Sequence, residues 1–132
     1  MSLLLDTHAF LWTLFAPENL SKKAARAVEK PGSEVSVSVV TFWEISLKYG
    51  LGKIELAGVG PEDLPAAAEQ ANLAILEMSP DEASSFHRLP RGKHKDPFDR
   101  LLVWQALQRD LILVSKDGSM DLYAGLGLKR LW

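Results

Sequence analysis

Apolar residues along this chain fall into two alternating patterns, short unbroken runs and stretches spaced three or four positions apart. Residues 3–5 are consecutive leucines that stop at Asp6, and Phe10, Leu11, Leu14 and Phe15 then recur at helical spacing. This predicts a strand followed by a helix, which Pro17 ends. Ser21 is placed to cap a second helix from Lys22 to about Glu29, terminated by Pro31-Gly32. The β-branched run Val35, Val37, Val39 and Val40 predicts a second strand that gives way near Thr41 to a helix carrying Trp43, Ile45, Leu47 and Leu51. After a glycine-punctuated loop, Pro61-Glu62-Asp63 opens a helix with acids in its first turn, and residues 73–76 read as a third strand. Ser79-Pro80-Asp81-Glu82 is a capping box for a helix to about Leu89. Asp96-Pro97-Phe98-Asp99 opens another through about Arg109, residues 111–114 form a continuous apolar strand, and residues 127–132 offer a last edge strand. Buried strands alternating with helices predict an α/β fold built of βα units, with a parallel sheet covered on both faces.

Composition narrows the class. At 132 residues the chain has one domain's worth of material, so residues 1–132 are expected to form a single domain. With 47% hydrophobic and 24% charged residues it can bury a normal core without staples, which excludes disorder. The absence of cysteine excludes a disulfide scaffold, a thiolate metal site and a cysteine nucleophile. Apolar stretches are interrupted by charge too soon for a spanning helix, and Asp6 too soon for a signal peptide. A cytoplasmic protein with no membrane partner is expected.

The formal net charge of −2 argues at first against a nucleic-acid partner. Its distribution argues the other way. Residues 88–100 carry Arg88, Arg91, Lys93, Lys95 and Arg100 against Asp96 and Asp99, a local +3 that leaves −5 on the remainder. His87 and His94 lie in the same stretch and can add positive charge.

Four acids stand beside predicted strand-to-helix junctions. Asp6 and Asp117 end strands, Glu44 is expected in the first turn after the valine-rich strand, and Asp99 in the first turn of the helix leading to the next strand. In an open parallel sheet, ligands bind beyond the carboxyl ends of the strands, so these acids converge on the functional edge. Each alone has an ordinary explanation: Asp6 and Asp96 as helix caps, Asp117-Gly118 as a turn, Glu44 and Asp99 as first-turn acids. Together they would repel one another unless a cation held them. Oxygen-only ligation selects a hard ion, Mg²⁺ or Mn²⁺, and a basic loop beside it supplies a phosphate grip. The chemistry joining these parts is metal-assisted phosphodiester hydrolysis.

Four stretches then resemble the PIN-domain ribonucleases of the VapC toxin type: Leu3-Leu4-Leu5-Asp6-Thr7-His8-Ala9; Phe42-Trp43-Glu44-Ile45 running into Lys48-Tyr49-Gly50-Leu51-Gly52-Lys53; His94-Lys95-Asp96-Pro97-Phe98-Asp99-Arg100-Leu101-Leu102; and Leu113-Val114-Ser115-Lys116-Asp117. They span nearly the whole chain in the family's order. The resemblance implies a three-layer α/β/α sandwich around a parallel sheet of about four to five short strands. It also implies an acidic pocket for Mg²⁺ or Mn²⁺, endonucleolytic cleavage of RNA, a cognate antitoxin and a homodimer. Carried over by position, the catalytic acids are Asp6, Glu44, Asp99 and Asp117, with Asp6, Asp99 and Asp117 on the metal. Ser115 matches the small hydroxyl residue before the last acid.

Supporting roles fall to Thr7, as a cap or a hydrogen bond to Asp6, and to Asp96, as cap or outer support. Asp121 could substitute for or assist Asp117. Lys48, Lys53, Arg91, Lys93, Lys95 and Arg100 are candidates for RNA phosphates, each equally explicable as solvated surface. Trp12, Trp43 and Trp104 could stack on bases but more often fill a core or interface. His8 is left outside the catalytic set. Competing readings are an inactive PIN-like module that binds RNA or protein, and an aspartyl phosphatase using Asp6, which would want a second aspartate where His8 stands.

Overall fold

The computed structural model describes residues 1–132. The leucine run forms β1 (Ser2–Leu5) at the centre of a five-stranded sheet in the order β3-β2-β1-β4-β5, with every neighbouring pair parallel. The other strands are β2 (Glu34–Ser38), β3 (Ala74–Leu76), β4 (Ile112–Val114) and the edge strand β5 (Lys129–Leu131). The helices are α1 (Thr7–Phe15), α2 (Lys22–Glu29), α3 (Val39–Gly50), α4 (Leu64–Gln70), α5 (Pro80–Ser85) and α6 (Pro97–Arg109).

Alternation along β1 builds the core on both sides of the sheet. Leu3 and Leu5 pack with Ala9 and Phe10 of α1, Ala24 and Ala27 of α2 and Leu64 and Ala68 of α4. Leu4 points the other way, onto Leu102, Val103 and Ala106 of α6. All three leucines are fully buried, contributing roughly 2 kcal/mol each. The result is the expected three-layer α/β/α arrangement. No helix is long and apolar enough to cross a membrane.

Register brings the strand ends level. Leu5 pairs with Val37 on one side and Val114 on the other, so β1, β2 and β4 deliver their following residues to one rim. The chain builds outward from β1 through β2 to β3, then crosses to β4 on the opposite side, and that reversal opens a crevice at the rim.

Three local expectations are corrected. Val39 and Val40 belong to α3, not to the strand, because the Ser38 hydroxyl accepts the Val40 N–H and starts the helix early. Glu44 consequently lies in the second turn of α3, not the first. Ser38 also donates to Gln105 Oε1 at 2.5 Å, a buried polar contact that joins this helix start to α6. The helix beginning at Pro80 ends at Ser85 and continues only as a 3-10 turn, Phe86–Arg88. A 3-10 segment over Gly118–Leu126, capped by Asp117, follows β4, and its apolar pattern in the sequence is too irregular to announce it.

The capping box at Ser79 and Glu82 is present, and Glu82 does more than cap. Its buried carboxylate takes both Arg109 Nε at 2.7 Å and Arg109 NH2 at 2.8 Å, which ties α5 to the far end of α6. Those contacts hold the carboxyl well below its ordinary 4.5, at about 2, with the Arg109 hydrogen bonds the leading cause.

Candidate active site

Beyond the ends of β1 and β4 lies a cavity of about 380 Å³ that gathers five carboxylates, Asp6, Glu44, Asp96, Asp99 and Asp117, against two ammonium groups, Lys48 and Lys116. The four acids expected to converge are therefore together, from four separate segments. Asp6 and Asp117 are also caps, so for these two the ordinary and the functional readings apply at once, whereas Glu44 and Asp99 are helix residues held by side-chain contacts.

Asp6 is the N-cap of α1: its Oδ1 accepts the Ala9 N–H at 2.8 Å, while its own N–H donates to Val114 at 3.0 Å. It is 5% exposed, and burial pushes its carboxyl up against the opposing pull of the Ser115 hydroxyl and the Ala9 amide. Thr7 serves Glu44, not Asp6. Asp6 already caps the helix, so the Thr7 hydroxyl turns inward and donates to Glu44 Oε1 at 2.5 Å, 3.3 Å from the Thr41 hydroxyl. Lys48, one turn along α3, pairs with Glu44 Oε2. Both oxygens of this buried glutamate are thus occupied, which suits a fixed negative charge better than a free metal ligand. Lys48 in turn is held more basic than usual, chiefly by that hydrogen bond. This corrects its assignment as an open phosphate contact.

Asp96 Oδ1 accepts the N–H groups of Phe98 at 2.9 Å and Asp99 at 3.1 Å, the cap that starts α6. Asp99 projects from the first turn into the cavity. Burial, then the negative charges of Asp96 and Glu44, push its carboxyl up from 3.8 to about 6, with His94 opposing them. Asp117 is exposed and is held below its ordinary value by hydrogen bonds to Ser119. Ser115, the first residue after β4, is fully buried and its hydroxyl accepts the Asp117 N–H at 3.1 Å.

His94 is the residue that sequence reasoning missed. Its Nε2 lies 3.3 Å from Asp99 Oδ2 and its Nδ1 3.0 Å from the Tyr123 hydroxyl. One ring nitrogen and one carboxylate oxygen each of Asp99 and Asp117 lie within 4.8 Å of one another, so the tightest potential ligand group contains His94 and not Asp6. Asp6 lines the same cavity deeper in. The available signal was the position of His94 just before the Asp96 cap, where a short loop must fold back over the first turn of α6.

Beside the acidic cavity is a larger cleft, about 580 Å³, lined by His87, Arg91, His94, Lys95 and Arg100. Arg91, Lys93 and Lys95 are solvent-facing, as a phosphate grip requires. Arg100 is a correction: it is 9% exposed and donates to the carbonyls of Pro90 and Leu89, both at 3.1 Å, with its guanidinium over the Phe86 ring. It holds the basic loop in shape instead of reaching outward. Lys53 is exposed beyond the end of α3 and does not line the acidic cavity. Asp121 is drawn away by Arg130, at 2.9 and 3.2 Å, and takes no part in the cavity. Trp104 is buried and donates to Ser85, Trp12 packs between His8 and Trp132, and Trp43 remains 59% exposed beside Phe98.

The sequence profile described as "PIN domain" matches residues 3–126. The chain belongs to the PIN domain family. Ribonuclease VapC22 of Mycobacterium tuberculosis is 29% identical over 116 residues, covering 88% of this chain and 87% of that protein. Among solved PIN-fold structures, VapBC2 of Rickettsia felis bound to a promoter DNA fragment superposes with a TM-score of 0.70 at 16% identity, over 100% of both chains. DNA-bound VapBC of Salmonella typhimurium superposes with 0.63 at 20% identity, over 98% of this chain and 96% of that one. At such identities the likeness is one of fold.

The donor set of this PIN domain fits a divalent cation. Asp99 and Asp117 offer carboxylate oxygens with no lysine or arginine paired to them, and five carboxylates share the cavity with two lysines.

Proposed function

We propose that this PIN domain, residues 1–132 acting as one unit, is a metal-dependent endoribonuclease, the toxin of a toxin–antitoxin pair acting in the cytoplasm. The observation that carries the reading is the carboxylate cavity at the crevice of the sheet with a basic cleft alongside it. Sequence likeness to ribonuclease VapC22 supports the same reaction class.

Asp6, Asp99 and Asp117 are the acids proposed to hold Mg²⁺ or Mn²⁺. When bound, such an ion supplies an acidified water and neutralises charge developing on a phosphate. Glu44, held by Thr7 and Lys48, keeps a fixed negative charge at the cavity wall and is the fourth acid of the proposed set. Arg91, Lys93 and Lys95 supply phosphate contacts on the approach, where the acids alone would repel RNA.

An antitoxin surface is proposed on α3. Trp43, Leu47 and Leu51 form an apolar stripe at successive turns, 59%, 45% and 61% exposed, on the helix that also carries Glu44 and Lys48. A partner helix laid along that stripe would bury these three side chains on the helix whose neighbouring face lines the cavity. The same stripe is available for homodimerisation.

The test is cleavage of defined RNAs by purified protein during titration with Mg²⁺ and Mn²⁺. Wild type is expected to cut only with a divalent ion, and Asp6→Asn and Asp117→Asn to be folded and inactive. Metal-independent cutting, or full activity in both variants, would overturn the proposal.

A further inference from the structure

We propose that His94 is a nitrogen ligand of the ion held by this pocket, alongside Asp99 and Asp117, and that Tyr123 is the positioning residue that sets its ring for that role. The inference rests on the metal-dependent reading above and deepens it by naming the class of ion.

The ring of His94 is held from both ends. Nδ1 meets the Tyr123 hydroxyl at 3.0 Å and Nε2 faces Asp99 Oδ2 at 3.3 Å, with only 11% of the side chain exposed. Tyr123 is itself 5% exposed and belongs to the segment Gly118–Leu126 that Asp117 caps, so the group orienting the histidine and the acid facing it are carried by one short segment. The three candidate donor atoms lie within 4.8 Å of one another. About half an ångström of side-chain movement closes such a span to the reach of one ion.

Tyr123 matters because a phenol can both donate and accept. Without an ion, Nε2–H can donate to Asp99 while Nδ1 accepts from the Tyr123 O–H. With an ion, the proton sits on Nδ1 and points at the Tyr123 oxygen, which frees the Nε2 lone pair. Histidine ligands typically have their second ring nitrogen anchored in this way, and the anchor fixes both tautomer and ring orientation. No charge is gained or lost in the exchange.

The consequence concerns which ion is preferred. Three carboxylates alone would favour Mg²⁺ as readily as Mn²⁺, whereas an imidazole nitrogen adds affinity for Mn²⁺ and later first-row ions and little for Mg²⁺. The pocket is therefore a mixed nitrogen and oxygen site.

The test uses the purified full chain without RNA. Pulsed electron paramagnetic resonance of the Mn²⁺-loaded wild type should show hyperfine coupling to a directly bound nitrogen, and this measurement needs no variant. The coupling should vanish in His94→Asn. Calorimetric titration should find Mn²⁺ binding about tenfold to hundredfold weaker in that variant, with Mg²⁺ binding changed by less than about threefold. Tyr123→Phe should weaken Mn²⁺ about tenfold yet keep the nitrogen coupling. Mn²⁺ bound to the wild type without nitrogen coupling, or equal losses for Mn²⁺ and Mg²⁺ in His94→Asn, would overturn the assignment and leave the carboxylate site standing. Failure of the wild type to bind either ion would overturn both readings.

Discussion

Replacing Asp99 by asparagine should stabilise the metal-free protein while abolishing cleavage. In the folded chain this carboxyl is pushed up from 3.8 to about 6, first by burial and then by Asp96 and Glu44. The native state therefore holds the proton more tightly than the unfolded chain does. Above pH 6 the ionised group opposes folding in full, and the opposition fades as the pH falls through 6 toward 3.8. Taken at face value the shift corresponds to roughly 3 kcal/mol. The Asp99 side chain is 26% exposed, and solvent screening reduces the expected figure to about 2 kcal/mol. Asparagine keeps the shape and an oxygen for His94 without the charge. Urea unfolding in the presence of a chelator should show Asp99→Asn more stable than wild type by that amount at pH 7, with the difference gone near pH 4. Saturating Mn²⁺ should erase or reverse the advantage by stabilising the wild type alone. A variant less stable than wild type at pH 7, or a gain that does not change with pH, would refute the argument that this pocket is built against its own charge.

Glu82→Gln carries the opposite sign. The depressed carboxyl stabilises the fold fully above 4.5, and that contribution is lost as the pH falls to about 2. The variant should lose about 2 kcal/mol at neutral pH, because the Ser79 cap survives but the Arg109 pair does not, and its stability should be flatter than wild type across that acid range in a denaturation series. Arg100→Lys should lower stability by about 1–2 kcal/mol through loss of the carbonyl bonds; hydrogen exchange should speed up across residues 88–96, and unchanged protection there would contradict the clamp. Asp121→Asn should leave RNA cleavage within about twofold of wild type, since Arg130 holds that acid outside the cavity. A loss as large as that of Asp117→Asn would place Asp121 back in the site.

Much of this protein is legible from one-dimensional pattern. The leucine run, the caps at Ser21, Ser79 and Asp96, and the apolar stretch before Ser115 locate the starts of elements to within a residue or two, because each depends on neighbours in the chain. The valine-rich strand misleads for an instructive reason: β-branched propensity is weak, and one hydroxyl bond from Ser38 outweighs it at Val39 and Val40. The basic loop misleads differently. Charge in a sequence says nothing about direction, so Arg100, aimed at backbone carbonyls, looked equivalent to its solvent-facing neighbours.

The alternation of short apolar runs with helices, closed by acids at Asp6, Asp99 and Asp117, was enough by itself to specify a parallel α/β sheet with a carboxylate site at one edge. Those features depend on residue type and spacing alone. Only the tertiary structure decided how the charges are shared out: Glu44 goes to Thr7 and Lys48, Asp121 to Arg130, and His94 to Asp99 and Tyr123. The Thr7–Glu44 and His94–Tyr123 contacts join residues 37 and 29 positions apart, and the shorter-range pairs Glu44–Lys48, His94–Asp99 and Asp121–Arg130 are selected among several charged neighbours only by the packing that fixes each side chain's direction.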